Sequence, residues 1–218
     1  MSRFLAPIHF WLFKKIQLHE GLEHDVLSIT GELPKINRSE IQKEAIAQFG
    51  PFLDDKDLAE IIDQGNIHGW LQERIRVTES RMAFIIDKVM EAQPDEAYNL
   101  ISQAFATAGA RDGDGAKENV DGHNVQDIFK TANDYILEGM PCDRANAVTV
   151  ATDTELQWQT SHCLHEKHWG AQVGMFYSLR RVYLEAFFTA VNPSVQYGVE
   201  PNSIDNPFPM KHNMSIVE

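Results

Sequence analysis

The sequence has little cysteine, few basic residues relative to acidic ones, and no long apolar run. Its 218 residues include two cysteines, and 19 Lys and Arg stand against 32 Asp and Glu, for a formal net charge of −13. Two cysteines do not make a disulfide framework in a chain of this size, so we expect free thiols in a reducing compartment. The acidic field repels phosphates, which argues against nucleic acid and against an anionic membrane surface as partners.

No segment approaches the roughly 18 consecutive apolar residues that a membrane span requires. The first 17 residues are apolar but contain His9, Lys14 and Lys15, and they lack the features of a secretory signal. We therefore expect a cytoplasmic, unprocessed protein with no membrane association. The hydrophobic content of 43% is that of an ordinary globular protein with a sizeable core.

The hydrophobic pattern predicts a mainly α protein. Apolar residues recur at three- and four-residue steps through the first 140 residues. The predicted helices span residues 4–29, 39–49, 55–63, 67–92, 95–108 and 123–138. The Gly- and Asp-rich stretch 110–122 predicts a mobile loop.

The pattern changes after about residue 140. Segments 147–150 and 155–160 predict a β-hairpin, followed by a long helix over 163–190 and a short strand over 195–199. The tail from residue 201 contains several prolines and is expected to be irregular. The sequence thus predicts a helical part, 1–140, and a small α+β part, 141–218, packed together as one compact unit.

An internal repeat lies within the helical part, at an offset of 59 residues. The segments that begin at Ile8 and Ile67 share six identities in thirteen positions, including Trp11 and Trp70. Each copy also carries a His and a Glu eleven residues apart: His9 with Glu20, and His68 with Glu79. These two side chains share a helix face but lie about 16 Å apart along it, so one helix cannot bring both to one metal. An antiparallel pair of copies would bring His9 near Glu79 and His68 near Glu20, as in di-metal bundles. A packed seam without a metal is the other interpretation.

A second group of chemically active residues lies at the predicted strand-to-helix junction, where His162, Cys163, His165 and His168 fall within seven residues. A thiol at a helix N-terminus feels the positive end of the helix dipole, which favours the thiolate of Cys163. His165 or His168 would serve as its base, with Asp143 or Glu166 orienting that base.

Two other interpretations of this group remain open. Cys142, in the turn before the hairpin, would join Cys163, His165 and His168 as ligands of zinc, or of iron, if the hairpin folded it back. Alternatively, the cysteines are inert and buried for packing, and the histidines are solvated.

The segments NAVTVATDTELQWQTSHC and NPSVQY, with a helix between them, resemble the C-terminal half of the L-2-amino-thiazoline-4-carboxylic acid hydrolase-like family. The resemblance covers residues 146–199 and implies an α+β fold and hydrolytic ring opening of a small cyclic amino acid. Of that family's functional positions it carries over only Cys163. Leu164, His165 and Glu166 follow this cysteine, where the family tends to have Pro or small apolar residues.

Three alternative functions are consistent with these residues. The first is a cysteine- or metal-dependent hydrolase of a small amino-acid-like molecule, with Arg180 or Arg181 holding a substrate carboxylate and Trp169 beside the ligand. The second is a metal- or cofactor-binding helical protein without hydrolysis. The third is a structural or interaction protein, with a homodimer as its expected form.

Overall fold

The computed structural model describes residues 5–203 and 207–217, apart from the side chain of Asp95. The predicted start of the first helix at residue 4 lies outside these residues. The α-helices are α1 (Pro7–Thr30), α2 (Arg38–Phe49), α3 (Leu58–Ile61), α4 (Ile67–Ala92), α5 (Pro94–Ala116), α6 (Val125–Ala132), α7 (Glu166–Trp169) and α8 (Val173–Val191). The strands are β1 (Asn146–Ala151), β2 (Glu155–Thr160), β3 (Val195–Glu200) and β4 (Met210–Ile216). The predicted class, mainly α with a small α+β C-terminal part, is confirmed.

Contacts divide the chain into two compact units. The first unit comprises residues 1–104 and 167–172, and the second comprises 105–166 and 173–218. The division therefore falls within α5, whereas the sequence pattern changes near residue 140. All strands of the described residues follow residue 145, but the predicted boundary between two parts remains a prediction. No helix of the described residues is long and apolar enough to cross a membrane.

In the first unit α1 packs against α4, and α2 packs against both. Pro7 occupies the first position of α1, where a proline is tolerated because the backbone N–H it lacks would have no partner within the helix. The side chain of Asn66 accepts a hydrogen bond from the Gly69 backbone and so caps α4. Fully buried apolar residues of these two helices include Leu12, Ile16 and Val26 on α1 and Leu71, Ile75 and Ile85 on α4.

In the second unit the strands form an antiparallel sheet in the order β1-β2-β4-β3. Helix α8 packs on β3, and α6 packs on β2, β4 and α8. The β1–β2 hairpin and β3 confirm the predicted strands. The predicted irregular tail is wrong in part, because Met210–Ile216 forms β4, a central strand that pairs with both β2 and β3.

Three predicted helices and one predicted loop are also wrong in part. Helix α5 continues to Ala116, through most of the glycine-rich stretch that was expected to be a mobile loop. The predicted helix over 163–190 is broken, since Gly170 adopts a φ of +49° between α7 and α8. The helix predicted over 123–138 ends at Ala132.

Candidate functional site

Cys163 lies in the connection between β2 and α7, and its sulfur accepts three hydrogen bonds. The backbone N–H groups of His165 and Glu166 donate to Sγ over 3.4 and 3.2 Å, and the Tyr177 hydroxyl donates to it over 3.4 Å. The residue is partly exposed and its thiol is free. The three donors hold this partly exposed sulfur in a fixed position.

Tyr177 reaches the sulfur from the second turn of α8. Its ring packs edge-on against Phe176 and Phe208, with centroid distances of 5.2 and 5.6 Å. Aromatic neighbours on two sides fix the direction of the ring. The hydroxyl is therefore the side-chain donor that α8 supplies to Cys163.

His165 is fully buried beside the thiol, and its ring points to other groups. Its Nε2 lies 3.2 Å from Glu138 Oε1 and 3.3 Å from Arg180 Nη1, and its ring packs on Phe176 with centroids 4.1 Å apart. A protonated Nε2 donates to Glu138, whereas a bare Nε2 accepts from Arg180. His165 thus contacts Cys163 through its backbone N–H, while its side chain anchors it to Glu138 and Arg180.

Arg180 and Glu138 form a nearly buried ion pair around this ring. Arg180 Nη1 bonds the Glu138 carboxylate, and Nη2 donates to the carbonyl oxygen of Leu137. The guanidinium also lies over the Phe176 ring, 4.4 Å from its centroid. Because both terminal nitrogens bond protein acceptors, Arg180 acts here as a structural clamp on the segment at 137–138.

The other predicted residues of the second unit make contacts of their own or are exposed. Asp143 accepts a hydrogen bond from the Met140 backbone over 2.8 Å, within its own turn, and is not paired with a histidine there. Cys142 is exposed and its thiol is free. Arg181 pairs with Glu185 over 3.0 Å on the exposed side of α8. Exposed His162 lies 2.8 Å from the Ser161 hydroxyl.

His168 and Trp169 belong to the first unit, with Cys163 and His165 in the second. The Nδ1 of His168 lies 3.4 Å from the Ser80 hydroxyl, and Trp169 is buried. Within residues 5–203 and 207–217, no group of three or more His, Cys, Asp and Glu side chains is placed to hold a metal ion. The four ligands suggested around Cys163 thus do not form such a group.

The internal repeat corresponds to a helix pair in the first unit. His9 and His68, at equivalent positions of α1 and α4, meet with their Nε2 atoms 3.3 Å apart. Glu20, further along α1, meets Thr78 and Arg81, further along α4. Both helices therefore run in the same direction. The antiparallel arrangement that would bring His9 to Glu79 and His68 to Glu20 is not the one observed.

The ring of His9 is held in one tautomer by its neighbours. The Ala6 backbone N–H donates to Nδ1 over 2.9 Å, so the proton of the neutral ring lies on Nε2 and is donated to His68. Burial, and then the nearby His68, lower the pKa of His9 below its ordinary value. The lowered pKa favours the neutral ring of His9 in this contact at the start of both helices.

A buried ionic cluster lies further along the same helix pair. Arg81, with 0% of its surface exposed, donates to Glu23 over 2.6 and 3.0 Å, to Glu20 over 2.7 Å and to the Gly50 carbonyl oxygen over 3.1 Å. The Leu53 backbone N–H donates to the second oxygen of Glu20 over 3.0 Å. Burial raises the pKa of Glu23 to about 8, although Arg81 opposes this shift. Two carboxylates around one guanidinium can therefore retain a proton near neutral pH.

A hydrogen-bonded chain crosses the sheet of the second unit and was not anticipated from the sequence. The Tyr197 hydroxyl lies 2.9 Å from His212 Nδ1, and His212 Nε2 lies 3.0 Å from the Thr160 hydroxyl, which donates to Asn146 over 2.6 Å. The His212 ring stacks on Trp158 with centroids 4.7 Å apart. Burial, and then the charge of Arg180, lower the pKa of His212 to about 4.

Sequence reasoning also missed Glu138 and Tyr177. Glu138 lies outside any helix, near the end of a segment that was predicted to be helical, and its role depends on a contact with a residue 27 positions away. Tyr177 precedes Arg180 by three positions, and residues at this spacing share a helix face. That spacing is the signal that would have joined Tyr177 to the predicted site.

Comparison of the chain with protein-family models, curated proteins and solved structures finds no match. The resemblance of residues 146–199 to the L-2-amino-thiazoline-4-carboxylic acid hydrolase-like family is therefore neither supported nor opposed by relatives. The geometry around Cys163 is therefore the basis for a functional assignment.

Proposed function

We propose that the second unit is a cysteine-dependent hydrolase of a small, amino-acid-like molecule, with Cys163 as its nucleophile. The observation that carries the proposal is the convergence of three hydrogen-bond donors on one partly exposed sulfur. A thiol that serves only packing does not need donors of this kind, whereas a nucleophile has to be held in position and within reach of substrate. The amino-acid-like substrate class comes from the resemblance of residues 146–199 alone.

In the proposed reaction the Cys163 thiolate attacks the electrophilic carbon of an amide-type bond. A carbon–sulfur bond forms, the carbon–nitrogen bond breaks, and the leaving nitrogen takes a proton from the Tyr177 hydroxyl. Water then attacks the resulting thioester: its hydroxide joins the carbon, its proton returns to Tyr177, and the thiolate is released. The cycle follows the ordinary two-step logic of covalent catalysis.

The buried group around His165 has a positioning role in this proposal. His165 supplies a backbone N–H to the sulfur, and the Glu138–Arg180 pair holds the residue that carries this N–H. The earlier hypotheses, in which the His165 ring is the base and Arg180 binds a substrate carboxylate, need both side chains to leave these partners. We therefore favour Tyr177 as the proton donor.

Two free thiols in an acidic chain suit a reducing compartment, so we also propose the cytoplasm as the location. A small molecule is the expected partner. The homodimer remains a prediction from the sequence.

The test compares the two thiols of the intact protein. Iodoacetamide at pH 7 is expected to alkylate Cys163 faster than Cys142, although Cys142 is the more exposed. Tyr177→Phe removes one donor to the thiolate, worth about 1.5 kcal/mol, and should slow alkylation of Cys163 by about tenfold while leaving Cys142 unchanged. Cys163→Ser should abolish hydrolysis in a panel of small cyclic amino acids, and Cys142→Ser should retain it. Slower alkylation at Cys163 than at Cys142, or hydrolysis by Cys163→Ser at the wild-type rate, would reject the proposal.

A further inference from the structure

The segment that carries Cys142 runs alongside the segment that carries Cys163. Beyond the last β1–β2 pair, Asn146 with Thr160, the Ser161 backbone N–H donates to the Ala145 carbonyl oxygen over 2.8 Å. The antiparallel pairing therefore extends by one residue in the direction of the cysteines.

A second set of contacts joins the same segments on the far side of the cysteines. Glu138 bonds His165, and a Cβ added at Gly139 would lie 2.6 Å from Leu164 Cδ1. Cys142 thus lies three residues from each point of attachment, at the level of Cys163. Three residues span at most about 10 Å, so the turn cannot carry Cys142 far from the opposite segment.

The turn that presents Cys142 is a single 3₁₀ turn, Pro141–Asp143. It is flanked by two residues in the left-handed region, Gly139 with a φ of +56° and Arg144 with a φ of +50°. A residue with a side chain costs about 1 kcal/mol in this conformation, so rearrangement of the turn can release energy. Cys142 is exposed at this turn and Cys163 is partly exposed, so solvent and small oxidants reach both thiols.

We propose that Cys142 and Cys163 are a redox pair, in which a peroxide converts the two thiols to a disulfide. Cys163 thiolate attacks one oxygen of hydrogen peroxide, which forms the sulfenic acid and releases hydroxide. The Cys142 thiol then attacks this sulfur, which forms the disulfide and releases water. Peroxide accepts the two electrons that the thiols lose. The inference uses the thiol of the proposed hydrolase but does not require hydrolysis.

Oxidation of the pair removes the proposed nucleophile, and reduction restores it. Hydrolysis by Cys163 would therefore stop in peroxide and return with dithiothreitol. Cys142 has no part in the proposed hydrolytic cycle, so its role in this pair is separable from catalysis.

The experiment oxidises dilute full-length protein with a small excess of hydrogen peroxide and digests it without reductant. Trypsin places the cysteines on different peptides, residues 131–144 and 145–167, because it cleaves after Lys130, Arg144 and Lys167. We expect one linked peptide whose yield does not depend on protein concentration and which dithiothreitol separates. In Cys142→Ser, dimedone should trap a sulfenic acid on Cys163. In Cys163→Ser, Cys142 should stay reduced at the same dose.

Several results would overturn the pair: no linked peptide, linkage that appears only between molecules at high concentration, or equal dimedone labelling of Cys163 in wild type and Cys142→Ser. These results are distinct from failure of the hydrolase. Fast alkylation of Cys163 without a linked peptide removes the redox pair and leaves the hydrolase. A linked peptide in the wild type, together with full hydrolysis by Cys163→Ser, removes the hydrolase and leaves the redox pair.

Discussion

Arg81 is the position at which a single substitution is expected to damage the first unit most. Arg81→Met keeps much of the buried volume but removes the group that donates to Glu20, Glu23 and Gly50. Removing one partner of a buried ion pair costs about 3–5 kcal/mol, because the buried carboxyl groups of Glu20 and Glu23 lose their donor, whether or not Glu23 retains a proton. This is a large fraction of the roughly 5–15 kcal/mol by which a domain is stable.

Urea unfolding at pH 7, followed by circular dichroism at 222 nm, measures this loss. The matched control is Arg76→Met on the same helix, since Arg76 pairs with Glu73 and both side chains are about half exposed. Exposed pairs of this kind contribute about 0.5 kcal/mol. The double variant Arg81→Met/Glu23→Leu should recover at least half of the lost unfolding free energy, because it also removes the Glu23 carboxyl group that Arg81 contacts. A loss below about 1 kcal/mol for Arg81→Met, or strictly additive losses in the double variant, would refute the reasoning.

Two further predictions concern the second unit. The pKa of His212 is lowered from 6.5 to about 4, so its contribution to stability is complete above pH 6.5 and is lost as the pH falls toward 4. The loss amounts to about 3 kcal/mol, and a proton NMR titration of the ring should have its midpoint near pH 4; a midpoint near 6.5 would contradict this. In α5, a Cβ at Gly109 would lie 2.2 Å from the backbone oxygen of Tyr183, whereas one at Gly115 would meet nothing within 4 Å. Thermal denaturation should therefore show that Gly109→Ala destabilises the protein by more than about 2 kcal/mol and that Gly115→Ala stabilises it by about 0.5 kcal/mol; equal effects would exclude close packing as the reason.

The sequence predicted those elements whose pattern is set within the element itself. Helix α4 has caps and apolar spacing of its own, and its predicted bounds match the observed Ile67–Ala92. Strand β4 was missed although Met210, His212, Met214 and Ile216 alternate with polar residues. The prolines of the tail indicated irregular structure instead, whereas in the fold His212 stacks on Trp158.

The glycine-rich end of α5 shows the opposite error. Gly113 suggested a loop, yet a Cβ there would lie 2.4 Å from the Phe187 carbonyl oxygen. The glycine is required by the approach of another helix backbone, and the sequence does not reveal which backbone comes close. Local composition therefore indicated flexibility where tertiary packing needs a small residue.

The candidate site was predicted in part. The junction position of Cys163 followed from the change between a strand pattern and a helix pattern, and the structure places it before α7 with two backbone donors. The partners Glu138 and Tyr177 come from other elements, and no spacing within 162–169 points to them. The relative direction of α1 and α4 could not be predicted from the sequence either, since the identities between the two copies are the same for parallel and antiparallel pairing.

The parallel course of α1 and α4 has a consequence for assembly. Two parallel helices with matching residues opposite each other are the arrangement by which separate subunits commonly dimerise. In this protein one polypeptide supplies both partners, so their encounter is intramolecular and does not weaken on dilution. A residue of α1 can also be substituted without changing the equivalent residue of α4. The ion pair of Glu23 on α1 with Arg81 on α4 therefore forms once, whereas a symmetric dimer of identical helices would contain it twice.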